Sequence, residues 1–247
     1  MKDPLLSSVI ARISFSDLTN EAGFVSSLSS QEWFKGLFGR HDTLKEIQSD
    51  DDDALEVHRF SEMRGYPSGA YLDVSARYAC LVMNGGMADL PSDTKLISIL
   101  APIWRHAQET DTYTRLMRIG LRKVWSKTFV HAEEADHCFK YFDQGLVNEN
   151  ESLIERKYVD VFWSSKYQCA MNSIRSVKTV NEKLSLRFTL DLDAYKNLSH
   201  EGDNPRPDNE TFIQICNSLS GMLNDVQLRT FVEEYRKGVN SKVEDDE

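Results

Sequence analysis

Residues 113–129, with the sequence YTRLMRIGLRKVWSKTF, are the stretch from which the fold is predicted. Successive side chains of a β-strand point to opposite faces. The apolar residues at odd positions would face the core: Met117, Ile119, Leu121 and Trp125. Arg118 and Arg122 flank Gly120 on the other face, where the backbone carries no side chain. The stretch therefore predicts one long strand whose polar face either forms ion pairs within the fold or binds anions.

The segments before this strand predict an α+β fold. Apolar patterns indicate strands at residues 9–15, 55–63 and 71–83. A helical region follows the first of them, and a helix with a buried stripe and an internal Pro102 follows the third. With the strand at 113–129, the order becomes βαββαβ, as in a ferredoxin-like fold. We therefore expect a mainly antiparallel sheet with helices packed on one face.

The chain is expected to form two α+β halves. Residues 1–129 make the first half, residues 130–240 the second, and residues 241–247 an acidic tail. The second half is predicted to contain a helix, a three-stranded meander and a long C-terminal helical segment. These elements are placed at residues 131–142, then at 158–163, 169–177 and 184–192, and finally at 209–237.

The charge and cysteine content limit the kinds of partner and the compartment. The chain has 247 residues and a formal net charge of −10, which repels polyphosphate and disfavours nucleic-acid binding. The acidic segment 41–53 is predicted to be a loop. The four cysteines are widely spaced: Cys80, Cys138, Cys169 and Cys216. Because the sequence begins without an apolar run suited to a signal peptide or membrane span, we expect a cytoplasmic protein with reduced cysteines and no membrane contact.

A second predicted strand carries charge on its non-core face. In the stretch KLSLRFTLDLD, which ends at Asp193, alternation places Arg187, Asp191 and Asp193 together. The two aspartates would lie roughly 6 to 7 Å apart along the strand. They could hold a metal ion or act as acid and base. Ion pairs with Arg187, or with Arg118 and Arg122 across the sheet, are the favoured interpretation.

A spacing compatible with zinc occurs in the predicted helix at 131–142. His131, Glu134 and Cys138 follow one another at offsets of three and seven residues. However, Cys138 falls on the apolar stripe, which favours a packed cysteine beside a histidine. The sequence contains neither a phosphate-binding loop nor an esterase motif. It therefore predicts no catalytic residue, metal site or cofactor, and it leaves open whether the protein is an enzyme.

Basic residues concentrated at 115–127 permit a nucleic-acid interpretation. The residues in question are Arg115, Arg118, Arg122, Lys123 and Lys127, with Tyr113 and Trp125 as aromatics. A sheet that binds phosphates and stacks bases can have this composition. Because alternation places Trp125 on the face opposite Arg118 and Arg122, the tryptophan is predicted to lie in the core. This interpretation is therefore less favoured.

Three short features resemble a known family. They are R-I-G-L-R at 118–122, L-D-L-D at 190–193, and a C-terminal helical segment with Phe212, Leu219 and Phe231. Together they resemble a sporadically distributed bacterial family of uncharacterised two-part α+β proteins, over most of the chain. The patchy distribution of the family fits mobile or defence-associated genes, and the resemblance implies no catalytic residue. The family's strand continues with an aromatic residue and an asparagine where this chain has Lys-Val-Trp, so no ligand is inferred from that position.

These observations predict a recognition or regulatory component, and the resemblance implies that it belongs to a bacterial multi-protein system, with phage defence as a candidate context. It would bind a partner protein or a small anionic ligand on a polar sheet face. That face is built from Arg118, Arg122, Arg187, Asp191 and Asp193. The alternatives are a metal-dependent phosphodiesterase or nuclease that uses Asp191 and Asp193, and a nucleic-acid-binding protein that uses the basic strand 115–127. A homo-oligomer is compatible with the sequence.

Overall fold

The structure, a computed structural model, describes residues 5–16, 18–47, 54–85, 92–129, 155–180, 185–199 and 205–224. The predicted helix at 131–142, with His131, Glu134 and Cys138, lies outside these ranges. So do the part of the predicted C-terminal helical segment beyond residue 224 and the acidic tail. Within the described ranges, helices and strands are mixed, which confirms the predicted α+β class.

The elements have the following bounds. The first part of the chain contains β1 (Leu5–Phe15), α1 (Glu21–Ser30), α2 (Glu32–Leu37), β2 (Arg40–Ile47) and β3 (Ala54–Ser61). It continues with β4 (Tyr71–Val74), β5 (Tyr78–Asn84), α3 (Asp93–Thr110) and β6 (Leu116–Phe129). The remaining described elements are β7 (Glu155–Ser164), β8 (Cys169–Val180), β9 (Ser185–Asn197) and α4 (Asn209–Asn224).

All nine described strands belong to one sheet, in the order β2-β3-β4-β5-β1-β6-β9-β8-β7. Every pair of neighbours is antiparallel. The strand β6, from which the fold is predicted, lies between β1 and β9 and joins the two parts of the chain. The strands β7, β8 and β9 are neighbours in chain order and form a meander.

The first part of the sheet has more strands than predicted, and the ferredoxin-like arrangement is not confirmed. Residues 71–83 form the hairpin β4–β5 rather than one strand, because the chain reverses after Val74 and pairs it with Ala79. The hydroxyl of Ser75 stabilises this turn by accepting hydrogen bonds from the backbone N–H groups of Arg77 and Tyr78, both at 3.2 Å. After the turn, the odd-numbered residues of β5 face the core instead of the even-numbered ones. Cys80 therefore lies on the sheet face opposite the core.

The prediction of a loop at 41–53 is wrong for residues 41–47, which form part of a strand. Residues 41–47 belong to β2, which pairs with β3 from Arg40 opposite Ser61 to Ile47 opposite Ala54. This strand forms one edge of the sheet, and most of its side chains with described burial are exposed. An edge strand with charged side chains lacks the apolar alternation by which strands are recognised in a sequence.

Helices cover one face of the sheet. The helix α3 contacts β1 and β5, while α4 contacts β6, β9 and α3. Trp104 of α3 is fully buried, and its indole N–H donates a hydrogen bond of 2.9 Å to the carbonyl of Pro207. Phe15 of β1 stacks on Trp104 with ring centroids 6.2 Å apart. The core therefore lies between α3, α4 and the central strands, and it fixes which side of each strand faces away.

The start of β6 departs from the predicted alternation. Ile119, Leu121 and Trp125 are buried as expected, but Met117 is 36% exposed and Leu116 is fully buried. The pairing with β1 shifts here, because Ser14 lies opposite Arg118 whereas Phe15 lies opposite Leu116. Such a β-bulge inserts one extra residue into β6. The side chains of β6 that precede the bulge therefore point to the faces opposite to those that the alternation predicts.

Lys123 lies on the core face of β6. The nucleic-acid interpretation of residues 115–127 places it instead with the exposed basic residues. Its side chain is 10% exposed, and its ammonium group donates to Asp93 at 2.8 Å and to Asn224 at 3.1 Å. Ser220 also donates to the Asp93 carboxylate. Because Asp93 begins α3 and Asn224 ends α4, this polar group connects β6 to both helices.

Candidate functional site

The sheet face opposite α3 and α4, here called the open face, carries a cavity of about 480 Å³. The strands β1, β5, β6 and β9 supply its lining, because their side chains alternate between this face and the core. Polar and apolar side chains both line it, among them Ile10, Arg12, Val82, Arg118, Arg122 and Asp193. Its volume is within the range of small-molecule sites.

Arg122 and Asp191 form a bidentate ion pair at the edge of this cavity. The guanidinium Nε lies 2.7 Å from Oδ1, and Nη2 lies 2.5 Å from Oδ2. Asp191 is only 7% exposed, so its charge is compensated by this partner rather than by bulk water. Donation to the Asp191 carboxylate raises the pKa of Arg122, against the lowering effect of burial. The pair holds the guanidinium plane in a fixed orientation.

Arg118 and Asp193 form a second, less complete pair. One nitrogen of Arg118 lies 3.0 Å from Asp193 Oδ2. The guanidinium carbon lies 4.0 Å from the centroid of the Tyr195 ring, a cation–π contact. Burial raises the pKa of the Asp193 carboxyl above its ordinary value, while the positive charges of Arg118 and Arg122 oppose this shift. The net rise means that the surroundings do not fully compensate the charge of Asp193.

Gly120 separates the two arginines on β6 and leaves the cavity floor open. It lies opposite Tyr195 of β9. A Cβ atom at this position would meet its nearest atom, Asp193 Oδ1, at 3.6 Å, an ordinary contact distance. The backbone therefore does not require glycine here. What the missing side chain provides is space between Arg118 and Arg122.

Arg12 of β1 is the third arginine at the cavity, and sequence reasoning missed it. Its guanidinium carbon lies 4.2 Å above the centroid of the Tyr78 ring. Among the residues that the structure describes, Arg12 forms no ion pair with a carboxylate, whereas Arg118 and Arg122 each do. The alternation of β1 contains the signal, because the buried residues Val9, Ala11 and Ile13 place Arg12 on the opposite face.

The structure brings together four of the five predicted site residues. Arg118, Arg122, Asp191 and Asp193 form the two ion pairs, as the favoured interpretation of the aspartates expected. Arg187 lies apart from them. It is exposed, and its Nε is 3.5 Å from the hydroxyl of Thr128.

Two geometric findings bear on the alternative sites. Within the described ranges, no group of three or more histidine, cysteine, aspartate or glutamate side chains is placed to hold a metal ion. The basic residues of 115–127 do not share a face, because Lys123 is buried beneath the helices while Arg118 and Arg122 lie on the open face.

Comparison with protein-family models gives no match, and comparison with curated proteins gives none either. The resemblance carried by residues 118–122 and 190–193 therefore stays a prediction. None of the described helices has the length and apolar character needed to span a membrane.

Proposed function

We propose that the protein is a recognition or regulatory component that binds a small anionic ligand in the open-face cavity. The proposal rests on one observation above all: Arg12 lies at a cavity of about 480 Å³ without a carboxylate partner among the described residues. A guanidinium group presents several N–H donors in a plane, which suits a carboxylate or phosphate group.

The local charge balance supports an anion as ligand. Three guanidinium groups, of Arg12, Arg118 and Arg122, are accompanied by the carboxylates of Asp191 and Asp193, so the balance is +3 − 2 = +1. This positive site lies in a chain with a formal net charge of −10, so the attraction is local and not a property of the whole surface.

The arrangement of the arginines supports tight rather than diffuse binding. Arg122 is held by Asp191, Arg118 by Asp193 and the Tyr195 ring, and Arg12 by the Tyr78 ring. Side chains already held in place lose less conformational entropy when a ligand binds. Ile10 and Val82 line the same cavity. The ligand class is therefore a carboxylate or phosphate attached to a small apolar group.

A metal-dependent phosphodiesterase is less well supported. That activity would need Asp191 and Asp193 available to bind a cation. Each aspartate instead accepts hydrogen bonds from an arginine, at 2.5 to 2.7 Å for Asp191 and 3.0 Å for Asp193. A partner protein that inserts an acidic side chain into the cavity is the remaining alternative.

Calorimetric titration tests this proposal. The probes are inorganic phosphate and a panel of aliphatic and aromatic carboxylates and phosphate monoesters. Saturable binding to the wild type is expected, with at least tenfold weaker affinity in Arg12→Gln because a charged hydrogen bond is lost. Arg40→Gln is the matched control, since Arg40 is exposed and paired with Asp42 on β2; its affinity should equal that of the wild type.

Two outcomes would contradict the proposal. One is the absence of binding by every probe. The other is equal affinity in the wild type and Arg12→Gln, which would place the anion elsewhere. Hydrolysis of phosphodiesters that is abolished both by EDTA and by Asp191→Ala would replace the proposal with the enzyme alternative.

A further inference from the structure

The two edges of the sheet differ in their exposed side chains. The edge strand β2 carries Arg40 and Asp42, which form an ion pair of 2.8 Å, and an exposed Lys45. Charged side chains of this kind protect a sheet edge from pairing with another strand. The other edge strand, β7, instead exposes Val159, Val161 and Trp163, by 54%, 65% and 60%. Both edges therefore carry charge, since Lys157 and Asp160 of β7 are exposed too, but β7 exposes three large apolar side chains where β2 exposes one, Leu44 at 38%.

The three exposed apolar residues of β7 lie on the open face. Val161 is opposite Asn172 of β8, and Asn172 is opposite Asp193 of β9. Directly opposed residues share a face of the sheet. Val159 and Trp163, two positions to either side of Val161, therefore lie on that face too. They form an apolar stripe along the edge.

The strand itself is well anchored. It pairs with β8 from Glu155 opposite Lys178 to Ser164 opposite Cys169. On the core side, Phe162 packs against the hydrophobic core, and Asp160 pairs with Arg175 at 2.8 Å. With one side of the strand paired, the alternate N–H and C=O groups of the other side point away from the sheet. Among the described strands, none pairs with that side.

We propose that β7 pairs with β7 of a second copy of this chain, antiparallel and around a two-fold axis at Val161. This register places Val161 against Val161, and Val159 of each copy against Trp163 of the other. All six exposed apolar side chains then have apolar partners on one face. A shift by two residues would oppose Trp163 to Lys157, or Val159 to Ser165, and would leave apolar groups without such partners.

The symmetry of this register is what favours a second copy as the occupant. In a two-fold interface the same surface must complement itself. The stripe Val159, Val161 and Trp163 does so because its outer members are a β-branched and an aromatic residue, a favourable cross-strand pair. Each copy carries a formal net charge of −10, so repulsion opposes association and salt should strengthen it.

Sedimentation velocity of the full chain tests this inference, at protein concentrations from micromolar to sub-millimolar and at low and high NaCl. A monomer–dimer equilibrium is expected, with tighter association at high salt. Val161→Lys should weaken the dimer at least tenfold, because it sets two ammonium groups against each other at the axis. Thr43→Lys is the matched control, since Thr43 is an exposed position on the opposite edge strand β2; it should leave the dimer unchanged.

Hydrogen exchange of the wild type gives a test that needs no variant. The outward amides of β7 should become more protected as protein concentration rises, while those of β2 should not. A chain that stays monomeric throughout the range would overturn the inference. So would a dimer of undiminished affinity in Val161→Lys, or a dimer without increased protection in β7.

Discussion

Asp191 and Asp193 are two positions apart on one strand but have different surroundings. Asp191 receives two hydrogen bonds from Arg122, whereas Asp193 receives one from Arg118 and a longer contact from Asn172 at 3.5 Å. Burial outweighs these partners and raises the pKa of Asp193. Of these two carboxyls, Asp193 is thus the one with fewer hydrogen bonds to its charge, and the one that an approaching anion would affect more.

The raised pKa of Asp193 predicts how stability depends on pH. The folded state holds this proton more tightly than the unfolded state, so protonation contributes stability that is full below the unfolded pKa of about 3.9. That contribution is lost as pH rises through the folded pKa. Urea unfolding should therefore show that the stability of the wild type relative to Asp193→Asn falls from acidic to neutral pH.

Glu32→Gln controls for the removal of one negative charge, because Glu32 is exposed on α2. A relative stability of the wild type that rises with pH would show that Arg118 and Arg122 outweigh burial at Asp193. The expected trend would then be wrong in sign.

Single residues show where alternation is a reliable guide. The pattern of β6 and β9 predicts that Arg118, Arg122, Asp191 and Asp193 face one way, and they form two ion pairs. The alternation pattern fails at Met117, because the register of pairing between β6 and β1 shifts there. That shift depends on the partner strand and not on the sequence of β6 alone. Arg12 lies on β1. No local sequence pattern shows that β1 pairs with β6, so the pattern does not place Arg12 beside Arg118 and Arg122.

At the scale of elements, the buried polar group around Lys123 connects three of them. The side chains of Lys123 and Asp93 are 10% and 11% exposed, and the two groups are 2.8 Å apart. Removal of one member leaves the other as a buried charge without its partner, which destabilises proteins by about 3 to 5 kcal/mol. We expect Lys123→Ala to lower the free energy of unfolding by about 3 kcal/mol in urea titrations.

The matched control is Lys95→Ala, since Lys95 is exposed on α3 and should change stability by roughly 0.5 kcal/mol or less. The double variant Lys123→Met with Asp93→Asn should lose less stability than Lys123→Ala, because it leaves no buried charge. If the double variant is the less stable protein, the ion pair does not act as the connection described above.

Elements with a clear apolar stripe were predictable, and those defined by their partners were not. The helix α3 has a buried stripe that includes Leu96, Leu100 and Trp104. The division of residues 71–83 into β4 and β5 depends on a turn at Ser75, which the apolar run obscures. The strand β2 is held by its pairing with β3, and its charged side chains carry no apolar signal.

At the scale of the molecule, sequence reasoning reaches the α+β class but not the single sheet. Strand order depends on which segments pair across long separations, such as β6 with both β1 and β9. Local periodicity contains no information on such pairing. The same order places the cavity and the apolar edge on one face, with β9 and β8 between β6 and β7.

This order predicts that ligand binding and dimerisation are independent. In the proposed dimer the open faces are continuous, and the two copies of β6 lie seven strand spacings apart, roughly 34 Å at about 4.8 Å each. Val161 does not line the cavity. Val161→Lys should therefore weaken the dimer at least tenfold while the affinity for the anionic probe stays within about twofold of the wild type, with one ligand per chain. Arg12→Gln should have the reverse effect: it should lower the affinity for the anionic probe and leave the dimer unchanged. Joint loss of both properties in Val161→Lys, with the fold retained by circular dichroism, would mean instead that the second copy helps to form the site.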